Sequence, residues 1–519
     1  MASRFGLWAA AVLLVTASAG ASAPIRATAT VDTRAEGVRI NPEIYGQFAE
    51  HLGTGIEDGI WVGEDSPIPN VRGFRRDVVE ALRRLHVPVV RWPGGCFADI
   101  YRWRDGIGPR AGRPVTLNKW WGNAEEPNQF GTHEFFDFAE LIGAKTYLNI
   151  NVGTGTAGEA REWVEYVTSP SRSSLAELRR ANGRQEPWRI DYIGIGNEMW
   201  GCGGNLRAAE FAPLARQYAT FLRSGDGAKI IAGGATGDDY NWTDVLLTDS
   251  SGQFDAISLH YYTLPLGDWS HKGSAIGFDE REWALTFQRT RRLEEMIREH
   301  DARMDRHDPE GRLGLMVAEW GTWYDPTPGT NSAHLQQENT LRDALVAAVN
   351  FNIFHRHADR VQMANIAQMV NVLQAMIHTN GPRMYVTPTY HAFMLYAPFQ
   401  GAQALPVTVE GPEYVHGDVR GAAIDVTAAR DAEGAVHVAL VNIDPDEAAD
   451  VQLALEGMPG APVAGQILTA ERMDARNTFD APEAVRPGAF DGARWRDGRL
   501  HVSMPPRSVV VLTLARPAA

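Results

Sequence analysis

Asp191-Tyr-Ile-Gly-Ile-Gly-Asn-Glu-Met-Trp-Gly-Cys-Gly-Gly204 begins as a short apolar run of β-forming residues, stops at Asn197-Glu198 and dissolves into glycines. That pattern predicts a buried strand delivering two polar side chains to a rim. Leu313-Gly-Leu-Met-Val-Ala-Glu-Trp-Gly321 repeats it and ends on a second glutamate. Two carboxylates, each at the C-terminal tip of an apolar strand, suit two-carboxylate cleavage of a glycosidic bond on an α/β barrel.

Working outward, apolar strand patterns fall at 44–49, 87–92, 145–150, 191–196, 229–232, 254–259, 313–318 and 361–366. Helical periodicity lies between most of them, at 72–86, 133–142, 158–168, 207–223, 282–300 and 336–355, and once more at 389–396. In the first, Phe74, Val78, Leu82 and Leu85 share a face while four arginines crowd the others. Eight strands alternating with helices predict a closed (β/α)8 TIM barrel in the α/β class. Polar, aromatic and glycine residues gather after the strands: Gln47 to His51, Pro93 to Asp99, Asn149 and Asn151, Asn197 and Glu198, His260 to Tyr262, Glu319 and Trp320, Asn365 and Gln368. Beyond about Leu395 the periodicity changes to short alternating segments separated by Gly, Pro and Asp, which predict a C-terminal all-β sandwich, jelly-roll-like, with Val451, Leu453 and Leu455 as one inward row. A strand at 27–33, ahead of the barrel, is expected to complete it. The expected division is 1–23 leader, 24–40 N-terminal strand, 41–395 barrel and 396–519 sandwich.

A chain of 519 residues with net charge −15 and no basic block repels nucleic-acid backbones and anionic membrane faces. A neutral substrate suits it better, and fifteen tryptophans supply faces for stacking on sugars as well as on the core. The first 23 residues carry Arg4, an apolar run from Phe5 to Val15 and small residues through Ala23, which reads as a secretory signal peptide and predicts an exported, periplasmic or extracellular protein. Cleavage after Ala19, Ala21 or Ala23 stays open. Cys96 and Cys202 are the only cysteines, so a disulfide framework and a cysteine-rich zinc site are excluded, while a single bridge between them is left open. With no His-Glu-x-x-His pattern and scattered histidines, neither a metal nor another cofactor is expected.

Protonating a glycosidic oxygen near neutral pH needs a carboxylic acid of raised pKa, and attack on the anomeric carbon needs a second carboxylate that stays ionised. Glu198 is read as general acid/base and Glu319 as nucleophile, with Asn197 placed to meet the sugar 2-hydroxyl and His260 to orient or hydrogen-bond the nucleophile. A non-catalytic carbohydrate-binding protein, or a glycosidase for another glycan (endo-glucanase, xylanase or galactofuranosidase), would use the same pocket.

Gly46-Gln-Phe-Ala-Glu-His51, Arg91-Trp-Pro-Gly-Gly-Cys-Phe-Ala-Asp99, Trp103-Arg-Asp-Gly-Ile-Gly-Pro109, Gly196-Asn-Glu-Met-Trp-Gly-Cys202, His260-Tyr-Tyr262, Ala318-Glu-Trp-Gly321 and Ala364-Asn-Ile-Ala-Gln-Met-Val-Asn-Val372 together resemble glycoside hydrolase family 51, the α-L-arabinofuranosidases. The resemblance spans nearly the whole chain after the leader. It implies a barrel with an accessory sandwich and retaining, exo-acting release of terminal arabinofuranose from arabinan, arabinoxylan or their oligosaccharides. It puts the acid/base on Glu198 and the nucleophile on Glu319. The sugar-binding set falls on Glu50, Asn197, Tyr262 and Gln368, with Tyr261 left as the alternative to Tyr262. Cys96 falls where family members carry Asn or Cys beside the sugar. Trp120-Trp121 is a candidate for the leaving-group side, and assembly with further copies of the chain stays open.

Overall fold

The computed structural model describes residues 24–223, 227–248, 250–458 and 460–515. The leader reading, 1–23, lies outside them. Eight parallel strands close into a barrel in sequence order: Gly46–Phe48, Val89–Trp92, Lys145–Ile150, Tyr192–Ile195, Lys229–Thr236, Ala256–Thr263, Gly314–Thr322 and Val361–Ile366. The eighth pairs with the first through Asn365↔Gly46 and Ile366↔Gln47. Val89, Tyr147, Tyr192, Ile231, Ala256, Met316 and Met363 pack into one buried cluster within the barrel. The barrel is therefore a packed core, and ligands are left the rim.

Each expected strand is present, and the fifth, sixth and seventh run past their expected ends. The fifth does so through Gly233-Gly234-Ala235-Thr236, where the register against the sixth shifts. A methyl group at Gly234 would lie 1.6 Å from the Ser258 carbonyl oxygen. Only glycine lets the two backbones approach there, and two glycines in a row read locally as a loop.

The helices form because their apolar spacing has a sheet to cover. Arg76–Arg84 buries Val78, Val79, Ala81 and Leu82 and turns Arg83 and Arg84 outward, each large apolar side chain contributing about 1.5–3 kcal/mol when fully buried. The expected helix at 336–355 starts later, at Leu341, because Thr340 and Asp343 form a capping box that fixes the first turn. Two helices absent from the expectation, Ser174–Ala181 and Tyr240–Thr248, are short, at 8 and 9 residues.

The C-terminal strands form two sheets. One runs Val407–Glu410, Ile25–Val31, Ala449–Leu455, Arg499–Met504, Ala493–Arg496; the other runs from Val38–Arg39 and Gln403–Leu405 through Ile424–Arg430, Val436–Asn442, Ser508–Leu514 and Val463–Leu468 to Gly488–Ala489. Ile25–Val31 lies parallel to Ala449–Leu455, residue for residue. Val451, Leu453 and Leu455 are buried on one face. The helix Leu341–Arg356 is buried over all but its last residue, between barrel and sandwich. Its polar residues meet the sandwich directly: Asn352 Nδ2 and Arg356 Nη1 both donate to Asp425 Oδ1 at 3.0 Å.

Candidate active site

Glu319 leaves the seventh strand pointing into the barrel mouth, and the register pairs it with His260 on the sixth. A shift between Leu259 and His260 sets that alignment and puts His260 and Tyr262 on the inner face, since alternate residues share a face. Tyr262 Oη donates to Glu319 Oε2 at 2.7 Å, whereas Tyr261 Oη donates to the Arg289 carbonyl. The choice between the two tyrosines thus falls to Tyr262. Trp320 points outward and stacks on Phe393 among the surrounding helices; it is core, not site.

The other oxygen of Glu319 belongs to Arg91, a residue given no role from sequence. Arg91 Nη1 donates to Glu319 Oε1 at 2.7 Å, and Nη2 to Asn197 Oδ1 at 2.5 Å. Its only signal was a cation inside the apolar run Val87-Pro-Val-Val-Arg91-Trp92. A buried guanidinium requires a buried anion, and Glu319 is that anion. Burial alone would raise the Glu319 carboxyl; His260, Arg91 and the Tyr262 hydroxyl outweigh it and hold the group below the ordinary carboxylate value.

Glu198 follows the fourth strand with φ of 44°, a left-handed conformation that non-glycine residues occupy at some cost and that clusters at functional sites. Burial raises its pKa; the bond from His260 lowers it and the charge of Glu319 raises it further, and the net displacement is upward. His260 Nδ1 lies 2.9 Å from Glu198 Oε1 and 3.6 Å from Glu319 Oε2. Of the two roles expected for His260 toward Glu319, the hydrogen bond goes instead to Glu198, at 2.9 Å against 3.6 Å. A carboxylate oxygen from each glutamate and a ring nitrogen of His260 lie within 4.8 Å of one another. That is compact enough to hold an ion, but the Arg91 cation already on Glu319 opposes one.

Glu50, Gln368, Asn197 and Cys96 complete the pocket. Glu50 Oε1 accepts from Phe97 N at 3.0 Å and from Trp121 Nε1 at 2.9 Å, and Oε2 accepts from Gln368 Nε2 at 3.1 Å. Burial pushes Glu50 up to about 7. A methyl at Gly95 would lie 3.2 Å from Glu50 Oε2 and 3.3 Å from Glu319 Oε1, so both carboxylates converge on that backbone. Gln368 Oε1 is buried without a protein donor among the described residues, which suits a ligand hydroxyl. Trp121 lies at this inner floor, its indole nitrogen on Glu50. Asp99, also unassigned from sequence, accepts from the backbone amides of Val152, Gly153 and Asn197 and ties the loops after the second, third and fourth strands together. Cys96 is no free thiol: it is bonded to Cys202, whose sulfur lies 3.7 Å from Asn197 Nδ2 and 3.8 Å from Glu198 Oε2. Outside Glu198 a cavity of about 550 Å³ opens, walled by Trp200, Tyr261, Trp269 and Trp323.

A closed barrel with two carboxylates facing each other at its C-terminal rim defines a barrel glycoside hydrolase. Residues 81–271 match the family model described as the Alpha-L-arabinofuranosidase 1 domain, and residues 318–508 the Alpha-L-arabinofuranosidase C-terminal domain. The chain is 44% identical, over 97% of its length and 99% of the relative's, to an intracellular exo-alpha-L-arabinofuranosidase from Bacteroides ovatus. The crystal structure of the GH51 arabinofuranosidase from Xanthomonas axonopodis pv. citri matches with a TM-score of 0.93 and 50% identity, over 94% of this chain and 100% of that one. An arabinose complex of the Thermotoga maritima α-L-arabinofuranosidase matches at 0.80 and 32%, over 94% and 99%. The chain belongs to glycoside hydrolase family 51, the α-L-arabinofuranosidases. Export is not sustained: the Bacteroides ovatus relative is named an intracellular enzyme, and the periplasmic or extracellular reading is withdrawn.

Proposed function

We propose that the chain is a retaining, exo-acting α-L-arabinofuranosidase that releases terminal arabinofuranosyl residues from arabinan, arabinoxylan and arabino-oligosaccharides. The observation that carries the retaining mechanism is the closeness of Glu198 and Glu319, whose nearest oxygens lie within 4.8 Å. Carboxyl groups about 5–5.5 Å apart leave no room for an interposed water, whereas inverting pairs stand about 6.5–9.5 Å apart.

In the first step a Glu319 oxygen bonds to the anomeric carbon as the bond to the leaving oxygen breaks, and the Glu198 proton passes to that oxygen. In the second, Glu198 takes a proton from water, the water oxygen bonds to the anomeric carbon, and the ester to Glu319 breaks. The opposed displacements of the two pKa values support this assignment, since the acid must start protonated and the nucleophile ionised. Glu50, Asn197, Tyr262 and Gln368 are proposed to hold the furanose, with the Cys96–Cys202 bridge as one wall. The same reading divides the chain into a barrel at 41–395 and a sandwich at 396–519 that takes in 24–40. NMR of the sugar during the first turnovers tests the mechanism: the α-anomer is expected first, and the β-anomer would overturn it.

A further inference from the structure

The cavity outside Glu198 carries more charge than a neutral leaving group requires. Beyond its aromatic walls it is lined by Asp238, Arg289 and Arg292. Arg292 Nη2 lies 3.2 Å from Asp238 Oδ2, which neutralises that acid. Arg289 makes no ion pair among the described residues, and its Nε is buried without an acceptor. The Trp200 Nε1 donor on the same cavity is likewise buried and unmatched. Gly267 leaves the space Arg289 occupies, since a methyl there would sit 2.8 Å from Nη2. The Tyr261 hydroxyl anchors the Arg289 carbonyl at 2.6 Å, so the backbone beneath the guanidinium is fixed.

A guanidinium fork with no acceptor, at the edge of a sugar-sized cavity, matches one chemical group best: a carboxylate, which accepts two parallel N–H bonds. The cavity borders Glu198, the group proposed to protonate the departing oxygen. The overall charge of −15 does not forbid an anion there, because ordinary salt screens exposed charges beyond roughly 8–10 Å and Asp238, on the same cavity, is already paired. Resting on the arabinofuranosidase reading, we propose that this cavity accepts a leaving group bearing a carboxylate, a uronosyl residue, and that Arg289 is the residue that recognises it.

The test compares two disaccharides carrying the same α-L-arabinofuranosyl group, one linked to a hexuronic acid and one to the corresponding neutral hexose. A charge-assisted hydrogen bond predicts kcat/KM roughly tenfold higher for the uronate, mostly through KM. In Arg289→Gln the ratio of the two substrates is expected to fall to about one; in Arg289→Lys part of it returns. The paired variant Asp238→Asn/Arg292→Gln separates one recognised contact from a diffuse positive field, because it removes the ion pair as a neutral unit, leaves Arg289 in place, and the ratio should persist. A wild-type ratio at or below one, or a ratio that survives Arg289→Gln, overturns the proposal. Failure to hydrolyse either disaccharide, or a nitrophenyl arabinofuranoside, would instead overturn the underlying reading of the enzyme.

Discussion

The floor around Glu319 and the mouth around Glu198 are built from opposite materials. At the floor every oxygen of the carboxylate is spoken for, by Arg91 and Tyr262. Arg91 is buried beneath Phe48, its guanidinium carbon 4.6 Å from the ring centre. At the mouth, Glu198 has one partner with a transferable proton, His260, beside a disulfide and an open aromatic cavity. Cations and donors fix a charge; apolar surroundings and an adjacent anion keep a proton in place. The difference between the two regions is thus a difference in proton affinity, set by neighbours and not by residue type.

The sharpest way to break the contrast is to delete the floor. Glu319→Ala removes the atom proposed to form the covalent bond, and kcat is expected to fall by about four to six orders of magnitude, as for other nucleophile deletions. Added azide then attacks from the vacated side and gives a glycosyl azide of inverted configuration. A retained azide from this variant would exchange the roles of the two glutamates.

Deleting the mouth has a smaller and conditional effect. Glu198→Ala should cost about 10²–10⁴ in kcat on arabino-oligosaccharides, the range of general acid catalysis. It should cost far less on a dinitrophenyl arabinofuranoside, whose leaving group needs no proton. Equal losses on both substrates would count against Glu198 as the proton donor.

The sequence disclosed the mouth and the floor unequally. Glu198 and Glu319 stood out because a charge at the end of an apolar strand has no reason to be there unless a rim receives it, and the rim follows from the strand count. Tyr262 over Tyr261 could not be read, because it depends on a register shift at Leu259 and His260 that only the neighbouring strand reveals. Arg91 and Asp99 stood inside quoted motifs without a role, since their importance lies in partners distant in sequence: Glu319 for one, three backbone amides of two other loops for the other. The Tyr240–Thr248 helix was hidden for a different reason, being short, at 9 residues, and held by a tertiary bond from Trp242 Nε1 to the Gly233 carbonyl. The leader-like start suggested export, and the name of a close relative argues otherwise; composition at a terminus describes an address, and no packing constrains it.

The mildest perturbation touches the one group the two regions share. His260 lowers the pKa of Glu198 by its hydrogen bond and by its electrostatic field, and that of Glu319 by the field alone. The acidic limb of kcat/KM reports ionisation of Glu319, and the alkaline limb reports loss of the proton from Glu198. His260→Gln keeps a side chain able to donate to Glu198 and removes the imidazole's electrostatic effect on both carboxyls, so both should titrate at higher pH. Both limbs then move toward alkaline pH together, with the plateau falling only severalfold. Because the groups are coupled, the limbs belong to the pair and not to either residue alone, and it is their common direction that matters. Limbs moving in opposite directions, or an acidic limb displaced alone, would show that His260 serves only one side of the site, and the division drawn between floor and mouth would have to be redrawn around it.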